Sequence, residues 1–319
     1  MTRSRSHPAE AAGPAPRLGV VQEGQSRWVD LDGATHVLEV SGPKDAPPVV
    51  AVHGLGGSHA NWLAVAPGLS WDHRFYAIDL AGHGHTRPDH RSTEIPANQE
   101  LLHRFIVDVV GEPVTLLGNS MGGLISLRQA AFRPDTVRDV VLLGPALPLP
   151  VWKVSDPLVA GGVAATGVPR LGSSLLARAR ERTSPEQQVA EMLELTCVDP
   201  SRVPGDVVDA MVELARVRRH YAGTEVGLEI AARSTVASLL QRRAVDRAFD
   251  HVRAPVLILH GEKDRLVSVE AARRAVQRRP AWQLITHPDL GHVVQLEAPE
   301  WTVEQISWWW ASGAGSVVA

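Results

Sequence analysis

The chain has 319 residues, of which 44% are hydrophobic and 21% charged, with a formal net charge of −3 at pH 7. These proportions are ordinary for a globular protein, and without a dense basic tract they argue against a nucleic-acid partner. A single cysteine, Cys197, excludes an internal disulfide and suits a reducing compartment, and no run of about 18 apolar residues predicts a membrane span. We therefore expect a cytoplasmic protein.

The N-terminal part of the chain contains a predicted tail and a predicted hairpin. Residues 1–17 are basic but are followed by no apolar segment, so we expect a flexible tail rather than a signal peptide. Asp32-Gly33 lies between two β-like runs within residues 27–40. Asp-Gly in that setting favours a β-hairpin.

A regular alternation of strands and helices follows. Short runs rich in Val, Ile and Leu predict buried strands at residues 48–54, 74–80, 113–120 and 138–145. Between them, residues 98–110 and 123–132 have the periodicity of helices. Strands that alternate with helices favour an α/β fold with a doubly wound, mostly parallel sheet.

The alternation stops at about residue 146 and resumes after residue 250. The segment in between is helical in character, including residues 184–195 and 204–221. The buried-strand pattern returns at residues 254–261 and 281–288, and a last helix follows. We therefore predict an insertion of roughly 100 mostly helical residues in an α/β chain.

The residues Gly118-Asn119-Ser120-Met121-Gly122 fit the pattern G-x-S-x-G between a strand and a helix. In a nucleophile elbow this pattern holds a serine hydroxyl above the sheet edge, and its glycines avoid clashes with neighbouring backbone. The turn would also place Ser120 at a helix N-terminus, where N–H groups favour negative charge. The alternative is a glycine-rich turn with an incidental serine, because short motifs also match by chance.

A serine needs a base, and the usual chain order of this motif puts an acid and then a histidine downstream. Asp264 lies just past the strand 254–261, and His292 follows the next strand, after Gly291. Open α/β sheets place their sites at the carboxyl ends of strands. Ser120, Asp264 and His292 are therefore predicted to converge as a catalytic triad.

Three other residues compete for these roles. Glu262 is two residues nearer its strand than Asp264 and is the reserve acid. His287 comes early, before Pro288, and is assigned to the strand exit. His260 lies inside its strand and is interpreted as a packed core histidine.

The oxyanion of an acyl-transfer reaction needs preorganised donors. We assign these to the backbone N–H of Met121, after the nucleophile, and to that of Leu55, in the loop after the strand 48–54. Gly54 lets that loop fold toward the serine, and His53 is interpreted as supporting the loop by a hydrogen bond. Asp79 is interpreted as structural, holding the turn at residues 82–84.

Together these residues resemble the α/β-hydrolase superfamily over about residues 27–311. The motifs that carry the resemblance are HGLGG (53–57), DLAGHG (79–84), GNSMGG (118–123), HGEKD (260–264) and GH (291–292). The resemblance implies an eight-stranded sheet, with a core at residues 18–145 and 251–319 and a helical cap inserted after strand 6 at residues 146–250. It also implies that His53, Gly54 and Asn119 support the catalytic loops.

The resemblance implies a serine hydrolase that needs no metal and no organic cofactor. Capped carboxylesterases and lipase-like enzymes, acting on small-molecule esters, are the default. GNSMGG also resembles the meta-cleavage-product hydrolases, which cut carbon–carbon bonds. That family typically has Pro-Gly in the oxyanion loop and Trp after the catalytic histidine, whereas this chain has HGLGGS and then Val293-Val294. A third alternative is a ligand-binding module that has lost turnover.

Substrate-contacting and partner-contacting residues are less defined. The candidate pocket residues in the insertion, for which core packing is the competing role, are Trp152, Leu158, Val159, Met192, Leu195, Met211 and Leu214. A basic cluster at Arg216, Arg218, Arg219 and His220 is either a solvated helix end or a contact for a substrate carboxylate. The adjacent Trp308, Trp309 and Trp310 point in different directions on a helix and give only weak grounds for a homodimer.

Overall fold

The computed structural model describes residues 24–148 and 168–313, together with Gly161 and Ala165. Some sequence predictions lie outside these residues: the tail at 1–17 and the pocket residues Trp152, Leu158 and Val159.

Eight strands form one sheet. In chain order they are β1 Gln25–Asp30, β2 Ala34–Val40, β3 Pro48–Val52, β4 Arg74–Ile78, β5 Val114–Asn119, β6 Val137–Leu143, β7 Val256–Gly261 and β8 Gln283–His287. Their spatial order is β1-β2-β4-β3-β5-β6-β7-β8. β2 pairs antiparallel with β1 and β4, and every other pair is parallel. The predicted fold class is therefore confirmed.

The first two strands form a hairpin at Asp32-Gly33. Both residues have positive φ, 60° at Asp32 and 121° at Gly33. Asp30 Oδ1 accepts a hydrogen bond from the Gly33 N–H at 3.0 Å, so a side chain closes the turn.

Helices cover both faces of the sheet. The described helices are α1 Ala66–Leu69, α2 Ile95–Arg104, α3 Met121–Phe132, α4 Leu171–Arg182, α5 Pro185–Thr196, α6 Gly205–Arg218, α7 Thr224–Leu240, α8 Arg242–Asp250, α9 Val269–Arg278, α10 Val294–Glu297 and α11 Pro299–Ala311. One apolar cluster packs α2, α3, α8 and α9 on one face, and another packs α1 and α11 on the other. Because both faces are covered, every residue of β3, β5 and β7 is buried.

The helices α4 to α8 lie between β6 and β7. α4 packs on α7, and α5 packs on α6. α5 begins at a capping box in which Ser184 and Gln187 bond each other's backbone N–H. α8 falls within the predicted insertion, but Val245, Ala248 and Phe249 on one side of it belong to the main core against α3. Their spacing of three and four residues makes a single apolar face.

The three adjacent tryptophans of α11 have different surroundings. Trp309 is buried, Trp308 is 59% exposed, and Trp310 Nε1 donates to Asp139 Oδ1 at 3.2 Å. No helix of the described part of the chain is long and apolar enough to cross a bilayer.

Candidate active site

Ser120 occupies the sharp turn between β5 and α3. Its backbone has φ 52° and ψ −117°, a conformation that side-chain-bearing residues rarely adopt. Such strain costs about 1–3 kcal/mol and persists only where the surrounding structure enforces it. The strained turn presents the Ser120 side chain at the carboxyl edge of the sheet, at the start of a helix.

The two motif glycines are required by close packing around this turn. A Cβ atom on Gly122 would lie 2.0 Å from the carbonyl oxygen of Val52, and one on Gly118 would lie 2.6 Å from the Cα of Gly123. Neither neighbour is a flexible side chain, so a larger residue would displace β3 or the first turn of α3.

Hydrogen bonds tie the turn to its neighbours. The Ser120 N–H donates to Leu143 O at 3.2 Å, and the Ser120 carbonyl accepts from the Ala146 N–H at 3.0 Å. Asn119 Nδ2 donates to Leu143 O at 2.8 Å and to His292 O at 3.4 Å. Asn119 thus links the serine turn to the histidine loop.

Asp264 lies in the loop after β7 and is buried. Its Oδ1 accepts the N–H groups of Leu266 and Val267 at 2.8 and 2.9 Å, and its Oδ2 lies 2.7 Å from His292 Nδ1 and 3.2 Å from His260 Nε2. Burial alone would raise the pKa of Asp264, but the two histidines hold it well below its ordinary value. Asp264 is therefore an ionised carboxylate that accepts from His292.

His292 is 4% exposed, and its ring is oriented through Nδ1 by Asp264. This bond leaves Nε2 as the ring nitrogen available to a nucleophile. Among the described residues no hydrogen bond joins Ser120 Oγ to His292 Nε2. Such bonds are commonly long in substrate-free enzymes and shorten when substrate binds.

The loop that carries His292 is bonded to the end of α5. The His292 N–H donates to Thr196 O at 2.7 Å. The buried Glu297 accepts the N–H groups of Val198 and Asp199 through Oε1 and that of Gly291 through Oε2, at 2.8–3.0 Å. One carboxylate therefore joins the inserted helices to the histidine loop.

Of the three rival residues, His260 is buried against Asp264, and Glu262 and His287 lie elsewhere. Glu262 Oε1 accepts from Arg273 at 3.0 Å and from Thr286 at 2.9 Å, on the outer side of the sheet edge. His287 packs against Trp301, and its Nδ1 accepts from the Asp289 N–H. The structure brings Asp264, and not Glu262, to His292.

The loop after β3 lies against the serine. A Cβ on Gly54 would come within 3.1 Å of Ser120 Cβ, so glycine lets the loop approach the serine without displacing it. Within the described chain, the N–H groups of Leu55 and Met121 have no hydrogen-bond acceptor. Unpaired N–H groups next to the serine match the donors expected for an oxyanion hole.

His53 supports this loop through hydrogen bonds at both nitrogens of its ring. Its Nδ1 bonds Gly54 O at 2.8 Å, and its Nε2 accepts from the Leu80 N–H at 3.1 Å. Burial lowers the pKa of His53 to about 4. The ring is therefore neutral near pH 7, as its acceptor role at Nε2 requires.

The comparison with protein families agrees with this geometry. Residues 49–305 match the alpha/beta hydrolase family. The chain belongs to that family.

Two curated relatives and one solved structure illustrate the range of similar hydrolases. The chain is 31% identical over 260 residues to 2-hydroxy-6-oxo-2,4-heptadienoate hydrolase of Pseudomonas putida, covering 78% of this chain and 84% of that protein. It is 25% identical over 273 residues to the monoacylglycerol lipase ABHD6 of Homo sapiens, covering 83% and 75%. The structure of 2-hydroxy-6-oxo-6-phenylhexa-2,4-dienoate hydrolase from a Rhodococcus species superposes with a TM-score of 0.71 at 22% identity, covering 91% and 99%.

The arginines of the predicted basic cluster do not form one patch, because each has different partners. Arg216 pairs with Glu186 and Glu213, and Arg219 donates to a backbone carbonyl. Arg218 differs, because its Nη2 donates to Gly82 O at 3.0 Å in the turn after β4.

Of the predicted pocket residues in the described helices, Met211 and Leu214 are buried in packing.

Asp79 holds the turn after β4. Its carboxylate accepts the N–H groups of His59 and His85 at 2.6 and 2.8 Å, and a Cβ on Gly84 would lie 2.0 Å from its Cγ. The side chains of His36 and His59 also bond this carboxylate. The histidine cluster was missed in the sequence, because only His85 lies near Asp79 in the chain.

Proposed function

We propose that this protein is a serine hydrolase that cleaves a carboxylic ester of a small or medium hydrophobic substrate. The observation that carries the proposal is the strained conformation of Ser120 beside a His292–Asp264 pair bonded at 2.7 Å. Strain at a serine in a strand-to-helix turn costs stability and has no structural benefit of its own. The similarity to a monoacylglycerol lipase supports ester chemistry.

In the proposed reaction Ser120 Oγ attacks the ester carbonyl while His292 Nε2 takes its proton. Asp264 keeps the ring in the tautomer that can accept this proton and stabilises the imidazolium. The N–H groups of Leu55 and Met121 bind the oxyanion. His292 then protonates the leaving alcohol, and water hydrolyses the acyl-enzyme by the same route.

The helices inserted between β6 and β7 are proposed to form a cap that contributes the acyl or alcohol pocket. In support, α5 and α6 share an apolar cluster with Ala60, Val293 and Leu296, which follow the oxyanion loop and the histidine. The proposed cap therefore packs on residues that follow both of the loops proposed to carry catalytic groups.

The proposal is tested with initial rates on p-nitrophenyl esters from acetyl to dodecanoyl. Ser120→Ala is expected to lose ~10³-fold or more in kcat, because the oxyanion donors remain but the nucleophile is gone. Ser307→Ala, at an exposed serine on α11, is the matched control and should keep wild-type rates. Labelling by a fluorophosphonate, read by intact mass, should occur in wild type and not in Ser120→Ala. Equal ester turnover in wild type and Ser120→Ala would refute the assignment.

A second candidate is hydrolysis of a carbon–carbon bond in a vinylogous diketone acid. The 31% identity to a 2-hydroxy-6-oxo-2,4-heptadienoate hydrolase favours it, whereas the HGLGGS loop and Val293 after the histidine do not follow that family's usual pattern. A ring-fission diketone acid assayed beside the esters separates the two candidates. Absence of turnover on both substrate classes would favour a non-catalytic binding role.

A further inference from the structure

Three histidines from separate parts of the chain meet at Asp79. His36 is in β2, His59 begins the short helical turn after the oxyanion loop, and His85 is in the turn after β4. One ring nitrogen from each lies within 4.8 Å of the others. We propose that His36, His59 and His85 form a binding site for a late first-row divalent cation, with Zn²⁺ the best match. This inference does not rest on the proposed hydrolase reaction.

Asp79 fixes the tautomers of two of the rings. Its Oδ2 lies 2.8 Å from His36 Nδ1 and 2.9 Å from His59 Nδ1. Because the carboxylate accepts, both Nδ1 atoms carry the proton and both Nε2 atoms keep a lone pair. The lone pair of His36 Nε2 accepts from Ser26 Oγ at 2.9 Å, and the ion would displace this hydroxyl. A carboxylate that orients histidines through the nitrogen not used for the metal is the usual second layer of a zinc site.

The ring positions allow an ion to bind with small movements. The ring centroids lie 4.6 Å apart for His36 and His59, 4.8 Å for His36 and His85, and 5.5 Å for His59 and His85. Tetrahedral coordination at about 2.0–2.1 Å needs ligand nitrogens about 3.4 Å apart, so ring nitrogens that lie up to 4.8 Å apart must close by about 1.4 Å at most. Three histidines with water at the fourth position are an established zinc ligand set.

His85 is the residue that a purely structural role for the cluster does not explain. His36 and His59 are held by Asp79, but among the described residues the only side-chain bond to the His85 ring is a 3.4 Å contact between Nδ1 and Tyr221 OH. The ring nevertheless lies against both other histidines. Its partial exposure, with that of His59, leaves an entry path for the ion.

The charges near the cluster permit a cation. Asp79 contributes one buried negative charge, and Arg218, bonded to Gly82 O, contributes a positive charge to the same region. The site is not strongly acidic, so it offers little to Ca²⁺ or Mg²⁺, which prefer several oxygen ligands. Neutral imidazoles instead favour Zn²⁺, Ni²⁺ or Cu²⁺.

A bound ion would fasten three segments that Asp79 already connects. His59 follows the loop at residues 53–58, and its N–H donates to Asp79. The ion would therefore crosslink the base of the candidate oxyanion loop to β2 and to the turn after β4. The expected effect is greater thermal stability rather than a new reaction, because bound metal stabilises the folded state by mass action.

The test uses full-length protein stripped with chelator and titrated with Zn²⁺ by calorimetry, with Tm measured in parallel. Wild type should bind one Zn²⁺ per chain and melt at a higher temperature with Zn²⁺. His85→Ala and His59→Ala should bind at least ~10-fold more weakly, since even outer partners of a metal site contribute ~10–100-fold. The matched control His251→Ala, at an exposed histidine outside the cluster, should bind as wild type does.

A second measurement protects the test against misfolding of the variants. Co²⁺ added to wild type should give the intense visible bands of a tetrahedral site, and Zn²⁺ should displace them. Equal Zn²⁺ affinity in wild type and folded His85→Ala would overturn the proposal. Wild type that shows neither one-to-one Zn²⁺ binding nor a Co²⁺ spectrum would also overturn it.

Discussion

Asp264→Asn tests the assignment of the acid most sharply, because the structure dictates how the new amide must sit. Asp264 Oδ1 accepts two backbone N–H groups, and Oδ2 faces the ring nitrogens of His292 and His260. The amide oxygen of Asn is held by the N–H groups of Leu266 and Val267, so its NH₂ points at His292 Nδ1. Nδ1 must then accept, and the proton moves to Nε2, where it blocks removal of the serine proton.

The expected decrease in kcat follows from the hydrogen bonds that the new amide would lose if it turned its oxygen toward His292. Two backbone hydrogen bonds at about 0.5–1.5 kcal/mol each hold the amide in the unproductive orientation by about 1–3 kcal/mol. At 1.36 kcal/mol per tenfold, the productive tautomer is reduced ~5–150-fold. Loss of the charge that stabilises the imidazolium adds to this, and we expect kcat to fall ~10³–10⁴-fold, in the range known for such a change in a serine protease triad.

The assay is the initial rate on the best p-nitrophenyl ester, with Tm as a check of folding. Glu262→Gln is the matched control, because Glu262 is the rival carboxylate at the same strand end and bonds Arg273 and Thr286 instead. It should retain activity within about twofold, as expected for a residue remote from the reacting groups. A folded Asp264→Asn enzyme within tenfold of wild type would refute the reasoning, as would a large loss in Glu262→Gln.

Two further predictions concern stability. Gly122→Ala should fail to fold or lose at least ~3 kcal/mol in denaturant unfolding, because its Cβ would lie 2.0 Å from Val52 O; an unchanged midpoint would contradict the packing argument. Asp139 is buried, which raises its pKa to about 6 although Thr115 and Trp310 bond it. Because the folded-state pKa is raised, the contribution of protonated Asp139 to the free energy of unfolding is fully present below pH about 4. That contribution is lost as the pH rises through about 6. At pH 8, Asp139→Asn should therefore have a free energy of unfolding up to ~3 kcal/mol higher than that of wild type, measured with denaturant, and it should show no such gain at pH 4. A gain independent of pH would contradict the titration of Asp139.

The triad candidates could be predicted because parallel strands bring their carboxyl ends to one edge. Ser120, Asp264 and His292 each follow a buried apolar run, so chain order and strand ends placed them together without knowledge of any side-chain contact. The sequence predicts Asp264 as the acid and Glu262 as the reserve acid, and the structure gives the reason why Glu262 does not face His292. The Glu262 N–H still donates to His287 O at 2.9 Å, so the chain remains paired with β8 there and the side chain reaches the outer surface.

The histidine cluster could not be predicted, because its members meet only through the register of the sheet. Val37 pairs with Ile78 across β2 and β4, which brings His36 beside Asp79. No local pattern in the sequence encodes that pairing. The packing of α8 in the main core could not be predicted either, since an amphipathic helix packs equally well on a sheet or on other helices.

The contacts of Glu297 have a consequence for protein engineering. Its carboxylate joins Val198 and Asp199 to Gly291, and Thr196 O holds the His292 N–H. The inserted helices are thus not a module that can be exchanged independently of the rest of the chain. A chimera that takes these helices from a relative must also take that relative's histidine loop and its counterpart of Glu297. Without them, the transplanted segment would leave a buried carboxylate unpaired and the histidine backbone unsupported.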